Sequence, residues 1–191
     1  MTGEQTGPEA IWAPWRLDYL ERLGESEKGG ARAASPTQRG GVCFLRAQWL
    51  DPGSDEAGHV IIRSSHGLVL LNRYPYANGH LLVALGEGRS RLMDYGPDQR
   101  RHLWMLLEAA VDLVEVALEP QGVNAGINQG RAAGAGVPDH LHAHVVPRWA
   151  GDVNFITVVG QVRVVPSSLE AMARRLRAAW TEIHGRWGAL G

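Results

Sequence analysis

Residues 140–146 carry a histidine at every second position as far as 144 and apolar residues at the other positions, and this run constrains the fold of the chain more than any other feature. Successive side chains of a β-strand point to opposite faces, so a period of two predicts a strand whose imidazoles share one face. The histidines of this row are His140, His142 and His144. A packed core is not built from three titratable rings, so the row predicts a chemical site, with the intervening apolar residues facing a core.

The other patterns predict a mainly antiparallel α+β fold. Short β-type runs separated by turn residues predict about five strands, at 60–62, 68–71, 80–85, 123–129 and 140–146. Apolar residues that recur every three or four positions predict one long helix over 97–118, packed on the sheet. A capping box of Ser167 and Glu170 predicts a C-terminal helix. We expect that helix to turn its apolar residues inward, namely Leu169, Met172, Leu176, Trp180 and Ile183.

We expect the whole chain, residues 1–191, to form one domain. A proline followed by spaced apolar residues predicts a short helix within 14–23, and residues 156–165 are β-rich. The polar residues 1–10 and the Gly- and Ser-rich residues 24–41 are predicted to be flexible.

Composition excludes several classes of protein. The net charge is −1, so the basic excess of a general nucleic-acid binder is missing. The apolar stretches are much shorter than the roughly 20 residues that span a bilayer, and the N-terminus lacks a signal-peptide pattern. The single cysteine, Cys43, excludes an intramolecular disulfide framework. We therefore expect a cytoplasmic protein that binds neither nucleic acid nor membrane.

Two chemistries suit the histidine row. Neutral imidazole is a common zinc ligand, but no acidic residue follows Asp139 within this strand, and catalytic zinc usually needs support of that kind. In phosphate chemistry, one imidazole attacks phosphorus while its neighbours hold oxygens or transfer protons. The segment from Asn72 to His80 favours phosphate chemistry, since it combines a polar side chain, a tight turn and a histidine entering a strand. Gly79 in this segment would permit the close backbone approach that a nucleotide pocket needs.

Five segments resemble one known family. H-L-H-A-H-V-V at 140–146 resembles the defining motif of the histidine triad (HIT) family of nucleotide hydrolases and transferases. N-R-Y-P-Y-A-N-G-H at 72–80 resembles the family's nucleotide-contacting segment, and residues 127–139 resemble the strand and glycine loop before the triad. W-A-P-W-R at 12–16 and P-R-W-A-G-D-V-N-F at 147–155 resemble a bacterial branch that includes diadenosine tetraphosphate phosphorylases.

The resemblance implies a catalytic role for the histidines. His142 would be the nucleophile that attacks the α-phosphorus to give a nucleotidyl-histidine, and it is also the only ring of the row flanked on both sides. His144 would hydrogen-bond the phosphate or its bridging oxygen, with His80 assisting. The backbone carbonyl of His140 would fix the tautomer of His142.

The resemblance also implies a set of substrate-binding residues. Asn72 would meet the nucleotide near its sugar or phosphate, unless it only caps the turn. Gln129 would orient phosphate oxygens, unless it is merely an exposed strand end. Many relatives place a hydroxyl residue just before the triad; here it is absent, and backbone N–H groups near Gly136 would have to replace it. Arg148 would bind an incoming phosphate or be merely solvated, and Trp149 would shield the intermediate from water or simply pack.

These features favour an enzyme that transfers a nucleoside monophosphate from a dinucleoside polyphosphate to phosphate, as a phosphorylase does. The alternatives are a HIT-type hydrolase of dinucleoside polyphosphates or nucleoside phosphoramidates, a non-catalytic nucleotide sensor, and a metal-dependent enzyme. A divalent cation would accompany the polyphosphate as part of the substrate.

The resemblance further implies a homodimer. Tryptophans near the two ends of the chain would anchor the interface or pack in the core, namely Trp12, Trp15, Trp180 and Trp187. A structural zinc is predicted to be absent, because zinc-carrying relatives have a Cys-x-x-Cys pair and here Arg46 stands three residues after Cys43. Three histidines would be needed to complete a site with Cys43, namely His59, His66 and His140.

Overall fold

The computed structural model describes residues 38–39, 42–152 and 166–190, all within a unit that spans residues 37–191. Its strands are β1 (Gln38–Arg39), β2 (Val42–Cys43), β3 (Val60–Arg63), β4 (Gly67–Leu71), β5 (Leu81–Leu85), β6 (Gly122–Ile127) and β7 (His142–Arg148). Its α-helices are α1 (Phe44–Leu50), α2 (Pro97–Leu118) and α3 (Leu169–Ile183). Short 3-10 helices occur at Pro52–Ser54, Leu92–Asp94, Arg131–Ala133 and His184–Leu190.

Some sequence predictions fall outside the described residues. These are the helix within 14–23, the flexible residues 1–10, most of the flexible segment 24–41, and the β-rich stretch 156–165. The assignment of residues 1–191 to a single domain stays a prediction.

Five of the strands form one antiparallel sheet in the order β3-β4-β5-β7-β6, while β1 and β2 form a separate pair. The predicted α+β fold with a five-stranded antiparallel sheet is confirmed. In this sheet His142 lies opposite Ala84 of β5, and His144 lies opposite Leu82 of β5 and Gly126 of β6. Residues directly opposite one another share a face, so the register places the histidines of β7 among small and aliphatic residues.

The helices α2 and α3 cover one face of the sheet. Helix α2 has the predicted bounds, with Pro97 at its first position and Gln99 accepting from the backbone N–H of Gly96. The apolar side of α2 packs on the face that carries Val83, Ala143 and Val145. Burying each large aliphatic side chain here stabilises the fold by about 1.5–3 kcal/mol. The residues of β7 that alternate with Ala143 and Val145, namely His142 and His144, therefore lie on the opposite face.

Helix α1 covers part of that opposite face, and the sequence did not predict it. A second cluster of buried residues lies beneath it, namely Cys43, Leu45, Val60, Leu68, Leu70, Leu82, Ala84 and Val137. The guanidinium of Arg63 donates to the carbonyls of Gln48 and Trp49, both at 2.8 Å. These bonds satisfy carbonyls at the end of α1 that the helix itself leaves unpaired. On this face β6 carries Gly122, Asn124 and Gly126, which are all exposed.

The C-terminal helix α3 begins two residues after the expected cap. The hydroxyl oxygen of Ser168 accepts from the N–H of Ala171 at 3.2 Å, so Ser168 is the N-cap and the prediction of Ser167 was wrong. Ser167 instead donates to the side-chain oxygen of Asn78 at 3.2 Å. The inward face of α3 is as predicted, with Met172, Leu176 and Ile183 buried. Within the described part of the chain, no helix is both long enough and apolar enough to cross a membrane.

Candidate active site

His142 is the first residue of β7 and lies on the sheet face opposite the helices α2 and α3. Its Nδ1 lies 2.9 Å from the carbonyl oxygen of His140. Because a carbonyl oxygen only accepts, Nδ1 must carry the proton, and the lone pair is at Nε2. This Nε2 makes no hydrogen bond to any residue that the structure describes. The backbone of His140 therefore leaves the lone pair of His142 at Nε2.

A chain of hydrogen bonds sets the tautomer of the neighbouring His144. Nδ1 of His80 accepts from the backbone N–H of Tyr76 at 3.0 Å and lies 3.3 Å from the side-chain amide nitrogen of Asn72. The proton of His80 is therefore at Nε2, which donates to Nδ1 of His144 at 2.9 Å. His144 is left with an N–H at Nε2, and this atom is buried without a partner among the described residues. A buried donor of this kind is costly and is typical of a group that awaits a ligand.

Burial keeps both imidazoles neutral. It lowers the pKa of His142, against the opposing effect of the hydrogen bond to His140. Burial, followed by the proximity of His142, lowers the pKa of His144 to about 4. At neutral pH the site therefore contains a free lone pair and a free N–H donor. Their rings are 5.0 Å apart between centroids, which suits attack on phosphorus by one ring and a hydrogen bond to a phosphate oxygen from the other.

The ring of His140 does not continue this row, contrary to the expectation that the three imidazoles share one face. Its Nε2 donates to the carbonyl oxygen of Leu85 at 2.8 Å, and its Nδ1 lies 2.9 Å from the sulfur of Cys43. The ring is fully buried, and β7 begins only at His142. His140 reaches the site through its carbonyl rather than through its imidazole.

The turn before β5 contributes Asn72 and a residue that the sequence did not single out, Tyr76. The side-chain oxygen of Asn72 accepts from the N–H of Tyr74 at 2.9 Å, which is the turn-capping role. The ring of Tyr76 stacks on that of His144, with centroids 5.8 Å apart and planes 16° apart. In the sequence, only the position of Tyr76 within the segment 72–80 could have indicated that it contacts a site histidine. A contact of Asn72 with the nucleotide stays a prediction.

Gln129 and Gly136 lie in the exposed segment between β6 and β7. The side-chain oxygen of Gln129 accepts from the N–H of Leu92 at 2.8 Å and so ties this segment to the loop after β5. The N–H of Gly136 makes no hydrogen bond to the described residues. Gly136 therefore offers a donor of the kind predicted, and its contact with phosphate stays a prediction.

Arg148 is the last residue of β7 and Trp149 follows it, at the end of the strand away from the two site histidines. The guanidinium of Arg148 donates to both carboxylate oxygens of Asp152, at 2.5 and 2.9 Å, and to the side chain of Asn124 at 3.1 Å. A contact of Arg148 with phosphate stays a prediction. Trp149 packs against the core on the helix-covered face, which is the packing alternative. Trp180 and Trp187 also pack on this core, whereas Trp12 and Trp15 lie outside the described residues.

The described residues do not fit a structural zinc. Cys43 and His140 meet, but no group of three or more potential ligands occurs in the part of the chain that the structure describes, and tetrahedral zinc needs four. The ring of His66 contacts that of His102 at 3.6 Å, and His59 lies 4.0 Å from Glu170. The absence of structural zinc stays a prediction.

Comparison with known proteins gives consistent results. The model of the HIT domain family matches residues 54–151. The chain is 35% identical over 178 residues to the "AP-4-A phosphorylase" of Mycobacterium tuberculosis, which covers 93% of this chain and 87% of the relative. It is 30% identical over 93 residues to the asymmetrical bis(5'-nucleosyl)-tetraphosphatase of Schizosaccharomyces pombe, covering about half of each chain, 49% and 50%.

A solved structure is also similar. It is the crystal structure of a zinc-bound histidine triad family protein from Mycobacterium smegmatis, with a TM-score of 0.61 and 27% sequence identity. The match covers 75% of this chain and 96% of that one.

Proposed function

Because this chain belongs to the HIT domain family, we propose that it is an enzyme that transfers a nucleoside monophosphate from a dinucleoside polyphosphate to inorganic phosphate. The observation that carries this proposal is the pairing of His142 and His144. One presents an unprotonated nitrogen, and the next presents an unpartnered N–H beside it. This arrangement supplies a nucleophile and a donor to the leaving group with no change of tautomer.

The first step forms a covalent intermediate. Nε2 of His142 attacks the α-phosphorus of the substrate, and the bond from that phosphorus to the bridging oxygen breaks. The N–H at Nε2 of His144 hydrogen-bonds the departing oxygen and offsets its developing negative charge. With diadenosine tetraphosphate, ATP leaves and an adenylyl group remains on His142.

The second step transfers the nucleotidyl group to an acceptor. A phosphate oxygen attacks the same phosphorus, the bond from phosphorus to Nε2 breaks, and ADP leaves from an adenylyl intermediate. Support for phosphate as acceptor comes from the similarity to the mycobacterial phosphorylase, which extends over 93% of this chain. The net products from diadenosine tetraphosphate and phosphate are ADP and ATP.

A hydrolase is the second candidate, because the fission-yeast relative is named as a tetraphosphatase. In that case water replaces phosphate in the second step, and the same intermediate gives AMP. A nucleotide sensor is less consistent with the site, since binding alone needs no free lone pair on His142. A metal-dependent enzyme is less consistent as well, because the described residues contain no group of three ligands.

The proposal includes the partners and the location of the enzyme. Its ligands are a dinucleoside polyphosphate, with an accompanying divalent cation, and phosphate. We propose a cytoplasmic homodimer, as the resemblance implies. Light scattering at micromolar concentration should give twice the mass of the chain, and the mass of a single chain would contradict the dimer.

The products formed from diadenosine tetraphosphate test the proposed reaction. Reactions with and without millimolar phosphate are separated by chromatography. We expect equal amounts of ADP and ATP, at a rate that depends on phosphate. Equal amounts of AMP and ATP, formed at a rate independent of phosphate, would make the protein a hydrolase.

A further inference from the structure

Cys43 and His140 form a buried thiol–imidazole pair behind the candidate active site. The sulfur of Cys43 lies 2.9 Å from Nδ1 of His140. Cys43 is 8% exposed and His140 is fully buried. Neither side chain reaches the reacting atoms in the proposed mechanism, so the pair needs another explanation.

The direction of this hydrogen bond follows from the other ring nitrogen. Nε2 of His140 lies 2.8 Å from the carbonyl oxygen of Leu85, which can only accept, so Nε2 carries the proton. Nδ1 is then an acceptor, and the thiol of Cys43 donates to it. The imidazole is thus held at both nitrogens, by the end of β5 on one side and by Cys43 on the other.

A glycine fits closely against the same ring. A side-chain carbon added at Gly88 would come within 2.8 Å of Nδ1 of His140 and within 3.0 Å of its Cγ. The backbone of the loop after β5 therefore packs on the imidazole. His140 has no freedom to turn its ring while these contacts hold.

The orientation of this ring is transmitted to His142 through one peptide group. The carbonyl of His140 accepts from Nδ1 of His142, and the N–H of the same peptide, at Leu141, donates to the carbonyl of Arg89 at 2.8 Å. The peptide plane is therefore held on one side by Arg89 and on the other by the anchored side chain of His140. Loss of one anchor would let the carbonyl move away from His142.

We propose that Cys43 is a positioning residue for nucleotidyl transfer: its thiol holds the ring of His140, so that the carbonyl of His140 keeps the lone pair of His142 at Nε2. This inference rests on the proposed function.

The test compares Cys43→Ala, which removes the donor, with Cys43→Ser, which keeps one. For Cys43→Ala we expect kcat for diadenosine tetraphosphate to fall about tenfold, as for loss of one buried hydrogen bond, while KM stays within about twofold. Cys43→Ser should recover most of kcat, because its hydroxyl can still donate to Nδ1. Leu70→Ala is the matched control, since Leu70 is buried in the same cluster without belonging to the site. It should lower the melting temperature and leave kcat unchanged.

Nitrogen-15 NMR of the free protein measures the tautomer of His142, which would not change if Cys43 only stabilised the fold. In the wild type we expect His142 to be protonated at Nδ1, and in Cys43→Ala the fraction protonated at Nδ1 should fall. The inference would be overturned by wild-type kcat in Cys43→Ala, by a Cys43→Ser variant as slow as Cys43→Ala, or by an unchanged tautomer of His142. The NMR measurement needs no substrate, so it tests the role of Cys43 separately from the proposed function. Failure of the wild-type protein to turn over diadenosine tetraphosphate would refute the proposed function instead.

Discussion

A neutral imidazole has one lone pair, and the hydrogen bond at one nitrogen decides that the lone pair lies at the other. At His142 the deciding partner is the carbonyl of His140, two residues away in the chain. At His144 it is His80, which is 64 residues away and is itself held by the turn 72–79. The sequence could predict which residue types carry the chemistry and where they lie. The resemblance implied that the carbonyl of His140 fixes the tautomer of His142. The sequence could not predict which nitrogen of His144 is free, because that depends on contacts made only after folding.

The pH dependence of the first step follows from these neutral rings. Since burial lowers the pKa of His142, its lone pair remains available at pH values below 6.5, the ordinary pKa of imidazole. His144 keeps its hydrogen-bonding pattern until about pH 4. We expect the single-turnover rate of adenylyl transfer, measured without an acceptor, to be constant from pH 8 to 6.5 and to fall only in more acid solution.

The measurement is a rapid-quench series with wild-type protein and with His184→Gln as control. His184 is exposed at the start of the 3-10 helix that follows α3, and its replacement should leave the pH profile unchanged. A midpoint at or above pH 6.5 would show that the nucleophile is not the buried imidazole of His142.

At the level of elements, the turn between β4 and β5 depends on one glycine. Gly79 has a φ of +78°, and a side-chain carbon there would lie 2.4 Å from Leu118 of α2. The close approach predicted for Gly79 is therefore made to a helix of the same chain. Replacing Gly79 with alanine should lower the free energy of unfolding by about 1–2 kcal/mol, since a side chain is strained in this left-handed conformation.

Chemical denaturation of Gly79→Ala and of the control Gly122→Ala measures this effect. A side-chain carbon at Gly122 would meet no atom within 4 Å, so Gly122→Ala should change the unfolding free energy by less than about 0.5 kcal/mol. Equal losses in the two variants would refute the role given to the turn.

The strand that carries the histidines begins two residues later than its alternating pattern predicts. The pattern extends over 140–146, whereas β7 runs from His142 to Arg148. The reason is that β5 pairs with β7 only as far as Ala84 opposite His142, and the next carbonyl, at Leu85, accepts from the ring of His140 instead. At Leu85 a hydrogen bond to the side chain of His140 therefore takes the place of a hydrogen bond between strands. The alternation of residue types in the sequence cannot reveal this.

For the whole molecule, the two faces of the sheet differ in how well the sequence predicted them. The face under α2 and α3 is lined by regular apolar repeats, and both the helix 97–118 and the inward residues of the C-terminal helix were predicted. The other face was predicted less well, because α1 has only seven residues and depends on the distant Arg63. The site lies on this second face, because His142 and His144 are opposite residues of the cluster beneath α1.

In the proposed reaction, His142 carries the nucleotidyl group, and every later step depends on this intermediate. The protein is mixed with diadenosine tetraphosphate in the absence of phosphate, and the reaction is quenched in base. Intact-protein mass spectrometry should then show the added mass of one adenylyl group, and peptide mapping should place that group on His142. The adduct should be missing from His142→Ala and should form more slowly in His144→Ala, which retains the nucleophile. An adduct on another residue, or one that persists in His142→Ala, would contradict the account.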